Sequence, residues 1–341
     1  MQEMIKIDGS IGYGQVLRTA IALSAITLKP VKIYNIRIRR PKPGLRPQHL
    51  KGVIEAAKLV HAKLKGVKLG STEIEFIPQR IDIPQRIFID IGTAGSVTLL
   101  LQTLLPIIIF NHTKVSIKVI GGTDVKGAPT ALYYKRIFFY YLEKLGIDSE
   151  FEILSHGFYP KGGGKISLKI DAENEIKGVR LTERGENIST RIYSIATEDL
   201  KKYMVAERQL RGFEENFEFP VASKSYAYVK SYSTGSSLFA ETQFEKCKLG
   251  IDGLGEKGKK AEIVGKEVAE NLTTSVLSGA CLDKYMSDQI IPYIALAKGV
   301  SEITVEEKTE HFLTNIKTCE LMLDVKFKIE NNKVRVKGIG L

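Results

Sequence analysis

The sequence is poor in cysteine. Its three, Cys247, Cys281 and Cys319, are widely spaced and odd in number, so neither a disulfide framework nor a metal-site spacing is present. They read as packing residues in a reducing cytoplasm. No apolar run is long enough to cross a membrane. The longest, Val97 to Phe110, is interrupted by Thr98, Gln102, Thr103 and Pro106 and falls short of the roughly 20 residues a span needs, so it predicts a buried helix. The opening residues lead from Ile5 and Lys6 straight into a strand pattern without a signal-peptide apolar region, and export is not expected. Methionine is scarce as well, with five residues beside many Lys, Glu and Ile, a balance that leans towards a thermophilic source.

Charge of one sign is what the chain does have. Its 50 Lys and Arg outnumber 39 Asp and Glu, for a net charge of +11 and a pI near 9.3. Such a surface attracts polyanions through the counterions they release, making nucleic acid the leading partner class. A membrane surface is disfavoured, because acids are interleaved with the basic residues and no basic amphipathic helix stands out. With 341 residues, 43% hydrophobic and 26% charged, the chain has the composition of a globular protein of about two domains.

The same order of elements occurs three times. A helix pattern from Gln15 precedes a strand from Val31 to Ile38, and a helix from Pro47 to Lys63 precedes a strand at Glu73–Ile77. The second unit has helices over 95–110 and 129–145 with strands at 115–120 and 151–154; the third has helices over 287–298 and 311–323 with strands at 302–305 and 325–329. Helix starts in units one and two are offset by about 81 to 82 residues, those in units two and three by about 182 to 191. About a hundred extra residues therefore sit inside the third unit. The expectation is an α+β protein of three two-helix, four-stranded-sheet units over residues 1–178 plus 278–341, with a smaller α/β domain inserted at 179–277.

The repeated helix starts are polar. Unit one offers Gln15, Arg18, Arg46, Gln48 and His49; unit two offers Ser96, Gln102, Asp124 and Lys126; unit three offers Tyr285, Asp288, Gln289, His311, Thr314 and Asn315. Gln102 lies in an otherwise apolar helix, where an unpartnered amide costs on the order of 1 to 3 kcal/mol, so it is hydrogen-bonded in the core or reaches a ligand. His311 opens a helix whose N–H groups attract phosphate, and a neutral imidazole is nucleophilic; the plainer reading is an ordinary helix-start residue. The basic run Arg37, Arg39, Arg40, Lys42 and Arg46, stiffened by Pro41 and Pro43, reads as solvated surface or as a phosphate site. Glycine-rich stretches at 8–14 and 157–164 fit neither the Walker nor the dinucleotide fingerprint. Lys6-Ile7-Asp8-Gly9 fits the Lys-x-Asp-Gly signature of lysine-dependent ligases, but those enzymes carry other motifs ahead of the lysine.

Taken together, Asp8-Gly-Ser10, Gly14-Gln-Val-Leu-Arg18, Arg40-Pro-Lys-Pro-Gly-Leu45, Gln48-His-Leu50, Gly92-Thr-Ala-Gly-Ser96, Leu101-Gln-Thr-Leu-Leu-Pro106, Gly121-Gly-Thr-Asp124, His156 through Gly164, Tyr285-Met-Ser-Asp-Gln289 and His311-Phe-Leu-Thr-Asn-Ile316 resemble the RNA 3′-terminal phosphate cyclases over essentially the whole chain. The resemblance implies an EPSP-synthase-like arrangement and a cytoplasmic ligase that converts an RNA 3′-phosphate into a 2′,3′-cyclic phosphate at the expense of ATP. It implies that His311 becomes covalently adenylated, that Gln102, Tyr285, Met286, Ser287, Asp288 and Gln289 hold ATP, and that Gln15, Arg18 and Arg40 contact phosphate. Mg²⁺ or Mn²⁺ is expected to neutralise the triphosphate. The family's usual first loop, Gly-Glu-Gly-Gly-Gly-Gln, is here Gly12-Tyr-Gly-Gln15, two residues shorter and without the glutamate, which leaves the metal ligands open. Cyclase-like RNA-binding proteins of ribosome assembly lack the histidine, and His311 separates this chain from them.

Overall fold

The computed structural model describes residues 3–12 and 14–341. The first unit runs β1 (Ile5–Asp8), α1 (Gly14–Thr27), β2 (Val31–Tyr34), α2 (Pro47–Leu59), β3 (Lys63–Lys65) and β4 (Ile74–Ile77). The second runs β5 (Arg86–Asp90), α3 (Val97–Ile109), β6 (Lys114–Gly121), α4 (Ala131–Tyr133), a π turn at Tyr134–Phe138, α5 (Phe139–Lys144), β7 (Asp148–Ser155) and β8 (Gly164–Asp171). The chain then enters the third unit with β9 (Arg180–Leu181) and leaves it for β10 (Asn187–Thr197), α6 (Val205–Glu214), β11 (Ser223–Val229), β12 (Ser236–Phe244), β13 (Lys248–Leu254) and α7 (Ala261–Leu277). It returns through α8 (Lys284–Gln289), α9 (Ile291–Leu296), β14 (Lys298–Thr304), α10 (Glu310–Met322), β15 (Phe327–Glu330) and β16 (Lys333–Ile339).

The repeat is a repeat of topology. The sheets β1-β2-β4-β3, β5-β6-β8-β7 and β9-β14-β16-β15 have the same strand order, while the fourth, β11-β10-β12-β13, does not. In each of the three, the first two strands are parallel, across one helix in the first two units and across the fourth sheet, α8 and α9 in the third, and the last two are antiparallel. The fold is therefore α+β with four mixed four-stranded sheets. Because β9 pairs with β14 through Arg180–Glu302 and Leu181–Ile303, the third sheet claims two residues of the 179–277 stretch.

Several expected bounds shift for local reasons. β2 ends at Tyr34, not Ile38, because Asn35 and Arg37 both take φ 54 and turn the chain away. The helix expected over 287–298 is two, since Pro292 lies in the first turn of α9 and cannot continue α8. The one expected over 129–145 runs from Ala131 to Lys144 and widens into a π turn at Tyr134–Phe138. Strands β5 and β16 follow Pro84 and Asn332 and carry alternating patterns that the repeat count passed over.

Apolar periodicity decides which helices go inside. Every residue of α1 except Arg18 and Thr27 is buried, as is every residue of α3 except Gln102 and every residue of α9. A helix apolar all round must be surrounded, and these three form the centre, with the sheets outside; β6 alternates exposed and buried residues as a one-sided sheet does. Arg136, in the π turn, reaches the fourth sheet, where its Nε lies 3.0 Å from the Glu241 carboxylate. Among the described residues no helix is long and apolar enough to cross a membrane.

Removing one partner of a buried ion pair strands the other's charge. Arg136→Ala should lower the free energy of unfolding by about 3 kcal/mol in urea titration, with Arg136→Met/Glu241→Gln recovering most of that loss.

Candidate active site

α10 begins at a side-chain cap, Thr309 Oγ1 accepting from the Phe312 N–H at 3.1 Å, which places His311 in the first turn. The loop before α1 presses on this turn. Gly12 has φ 71, and a Cβ there would lie 2.5 Å from Thr314 Oγ1, so a side chain is excluded on two grounds. A ring N–H of His311 donates to the Gly12 carbonyl. Burial depresses the His311 pKa, the Arg18 and Arg40 charges depress it further, and Glu310 and the Gly12 carbonyl oppose them. The ring is thus held neutral at a helix N-terminus beside two guanidinium groups.

Arg18 is the one position in the interior of α1 that is not fully buried. Its Nη2 donates to Gln15 Oε1, and its Nε is buried without a hydrogen-bond partner. Burial lowers its pKa to about 10, with the Asp288 charge opposing; it remains a cation at neutral pH. The Asp288 carboxyl is pushed up to about 7 by burial, with Arg18 opposing. Asn315 fastens three helices together: it accepts from Thr19 Oγ1 at 2.7 Å and donates to the Asp288 backbone carbonyl at 2.8 Å. Gln102 Nε2 donates to Gln289 Oε1 at 3.0 Å, and Gln289 Nε2 donates to the Tyr285 carbonyl at 2.9 Å. Gln102 is thus hydrogen-bonded in the core through its Nε2, while its Oε1 is buried without a hydrogen-bond partner.

The structure gathers Gln15, Arg18, Gln102, Asp288, Gln289 and His311 at one place. Arg40 is exposed at the end of the turn that follows β2, and its charge reaches His311. Tyr285 is 39% exposed, its ring edge-on to Tyr133 at 6.3 Å. Met286 and Ser287 are not wall residues. Both are fully buried, Ser287 Oγ donating to the Asp283 carbonyl at 2.7 Å. Tyr13, on which the reading of the shortened loop leans, lies outside the described residues. Lys6 stands exposed on β1, an edge strand.

Two side chains absent from the sequence-based set shape the same region. Asp283 caps α8 through the N–H groups of Tyr285 and Met286 and accepts from the Tyr133 hydroxyl at 2.7 Å; an Asp just before a helix was the available signal. Asp252, on β13, accepts from the Thr130 N–H at 2.7 Å, and its charge acts on Tyr285; nothing local marks it, because it comes from the fourth sheet. His49 also belongs here. It is buried, its Nδ1 accepts from the Arg46 N–H at 3.2 Å, and a Cβ on Gly14 would lie 2.6 Å from its Nε2. Burial first, then Arg18, Arg37 and Arg46, lower its pKa to about 3.

Among the described residues no group of three or more His, Cys, Asp or Glu is placed to hold a metal ion. Near His311 the carboxylates are Glu310, whose charge acts on the ring, and Asp288, which already faces Arg18. The donor set does not make a protein cage for a divalent cation; one arriving on a triphosphate would be carried mainly by phosphate oxygens and water.

A family model described as RNA 3′-terminal phosphate cyclase matches residues 10–329. Proteins of that description from Pyrococcus abyssi and Pyrococcus furiosus are each 42% identical to this chain, over 338 and 343 residues; they cover 96% and 98% of it and 95% and 98% of their own lengths. One from Staphylothermus marinus is 40% identical over 358 residues, 99% of each chain. An EPSP synthase from Acinetobacter baumannii aligns with 100% of this chain and 83% of its own at 13% identity and a TM-score of 0.29, too distant to bear on the fold.

A histidine whose pKa is lower folded than unfolded leaves the unfolded state binding more protons below about pH 6.5, so its stability contribution falls as pH drops towards its folded value. From pH 7 to pH 5, urea unfolding should show the protein losing about 2 kcal/mol more than His49→Gln loses.

Proposed function

This chain belongs to the RNA 3′-terminal phosphate cyclase family, and from that premise we propose that His311 is the nucleophile that carries AMP between ATP and the RNA end. The chain is an RNA 3′-terminal phosphate cyclase; the finer assignment concerns how its residues do the work. The observation that carries it is the His311 ring, kept neutral at the start of α10 with one nitrogen donating to Gly12, which leaves the second nitrogen's lone pair for attack.

In the first step that nitrogen bonds to the α-phosphorus of ATP, the bond from this phosphorus to the bridging oxygen breaks, and pyrophosphate leaves. Arg18 offers a buried Nε without a partner, suited to an oxygen of the phosphate being attacked, and Gln15 holds the guanidinium in place. Arg40, exposed at the rim, would meet the triphosphate or the RNA phosphate. Tyr285, Asp288 and Gln289, with Gln102 bracing Gln289, make the adenosine side of the site, while Met286 and Ser287 support α8 from beneath. In the second step an oxygen of the RNA 3′-phosphate attacks the AMP phosphorus and His311 leaves. The 2′-hydroxyl then attacks the 3′-phosphorus with loss of its proton, AMP departs, and the cyclic ester closes. Adenylation supplies the leaving group that a phosphate monoester lacks. A divalent ion, Mg²⁺ or Mn²⁺, would supply charge neutralisation on the triphosphate.

The body that bears this site is taken as residues 1–178 with 278–341, and 179–277 as the insert. The shared strand order of three sheets and the different order of the fourth support that division except at Arg180 and Leu181, where β9 belongs to the third sheet.

With α-labelled ATP and a divalent ion, the protein should retain label after denaturation, His311→Ala should lose it, and Lys6→Ala should keep it. Label kept in His311→Ala but lost in Lys6→Ala would overturn the assignment. Adding 3′-phosphorylated RNA should discharge the label and yield a cyclic end; 3′-hydroxyl RNA should do neither. Because a protonated imidazole cannot attack, the acid limb of AMP loading should have its midpoint below pH 6.5, and Arg18→Met should move that midpoint upward while slowing loading.

A further inference from the structure

Two of the most exposed aromatic side chains, Tyr159 at 77% and Tyr232 at 71%, stand on neighbouring turns that are locked together. The Gly162 N–H donates to the Phe158 carbonyl at 2.8 Å, closing the turn that has Tyr159 and exposed Lys161 at its tip. The Lys161 N–H donates to Ser233 Oγ at 3.0 Å. The Tyr232 ring lies against Gly163, where an added Cβ would come within 2.2 Å of it, and the Phe158 ring backs Gly235 within 2.3 Å of the same construction. Below, Asp124 accepts from Ser237 at 2.8 Å and pairs with His156 at 2.8 Å. Neither tyrosine contributes to the core, yet both are presented on a rigid base.

This pair adjoins the site by continuous contact. Gly162 abuts the backbone of Thr93 and Ala94, and Gly95 abuts Gln48. Gln48 Oε1 accepts from the Ser96 N–H at 3.1 Å, and the next residue, His49, lies against Gly14 and Arg18. The other flank of the site carries exposed Arg39, Arg40 and Lys42. Exposed basic groups on one flank of the site and two outward aromatic rings on the other are the chemistry that holds single-stranded nucleic acid, lysine and arginine on the backbone and aromatic faces on the bases, without reading sequence.

We propose that Tyr159 and Tyr232, with Lys161 beside them, are a stacking platform for the bases that precede the reacting 3′ end of the RNA. The inference rests on the reading that the 3′-phosphate is delivered to His311. It gives the turn at 231–235, which belongs to the inserted segment, a share in substrate binding, and it makes affinity depend on RNA length but not on base identity.

The test compares 3′-phosphorylated oligoribonucleotides of two and ten nucleotides with wild type, Tyr159→Ala/Tyr232→Ala and Tyr159→Phe/Tyr232→Phe. The alanine pair should raise KM for the ten-mer about tenfold or more and leave KM for the dinucleotide and AMP loading without RNA near wild type; the phenylalanine pair should match wild type throughout. An unchanged ten-mer KM in the alanine pair, or a rise shared equally by both lengths, overturns the platform. AMP loading that survives in His311→Ala overturns the proposed nucleophile instead, and fluorescence anisotropy of the ten-mer on the tyrosine variants then still reads the platform by itself.

Discussion

A guanidinium buried among helices is the constraint around which this molecule is arranged. Arg18 lies on a helix otherwise packed on every side, and a charge out of water is tolerable only with partners near it. Gln15 on its own helix and Asp288 on α8 supply them, so α8 must approach α1. Asn315 completes the arrangement by joining Thr19 of α1 to the backbone of α8 from α10. First and third units are therefore held by polar contacts at the place where an anionic substrate would be received, while apolar packing holds them elsewhere. The unused Nε of Arg18 shows that the protein's own groups do not exhaust this cation.

The same cation adds to burial in setting the protonation of its neighbours. His49 and His311 both have depressed pKa values, with burial the larger cause and Arg18 the next in each. Burial, reinforced by one shared charge, thus keeps two imidazoles neutral, but they use neutrality differently. His49 accepts from the backbone at the start of α2, a structural role; His311 donates from one nitrogen to Gly12 and keeps the other basic.

Much of this was legible in the sequence, and the parts that were not share a physical reason. The three units could be counted because topology repeats with periodic apolar residues, Arg18 was among the polar residues at the repeated helix starts, and Gln102 stood out as a polar interruption of a helix that is buried everywhere else. Helix ends were less legible: the left-handed Asn35 and Arg37 and the π turn at Tyr134–Phe138 depend on tertiary packing that overrides local pattern. Met286 and Ser287 sit in a motif whose neighbours face the site, but a short helix turns two of its residues inward. Asp252 had no signal at all, since its place beside Tyr285 exists only once the fourth sheet docks.

The contact between Gly12 and Thr314 has a temporal meaning. Arg18 and Gly12 are made early by the ribosome and His311 late, with the insert and its separate sheet translated between them. The first two units can collect their own helices and strands as they emerge, but the pocket stays without its histidine until α10 packs on α1. On the role proposed for His311, a partly made chain would lack the nucleophile, and competence would wait for α10 to pack on α1.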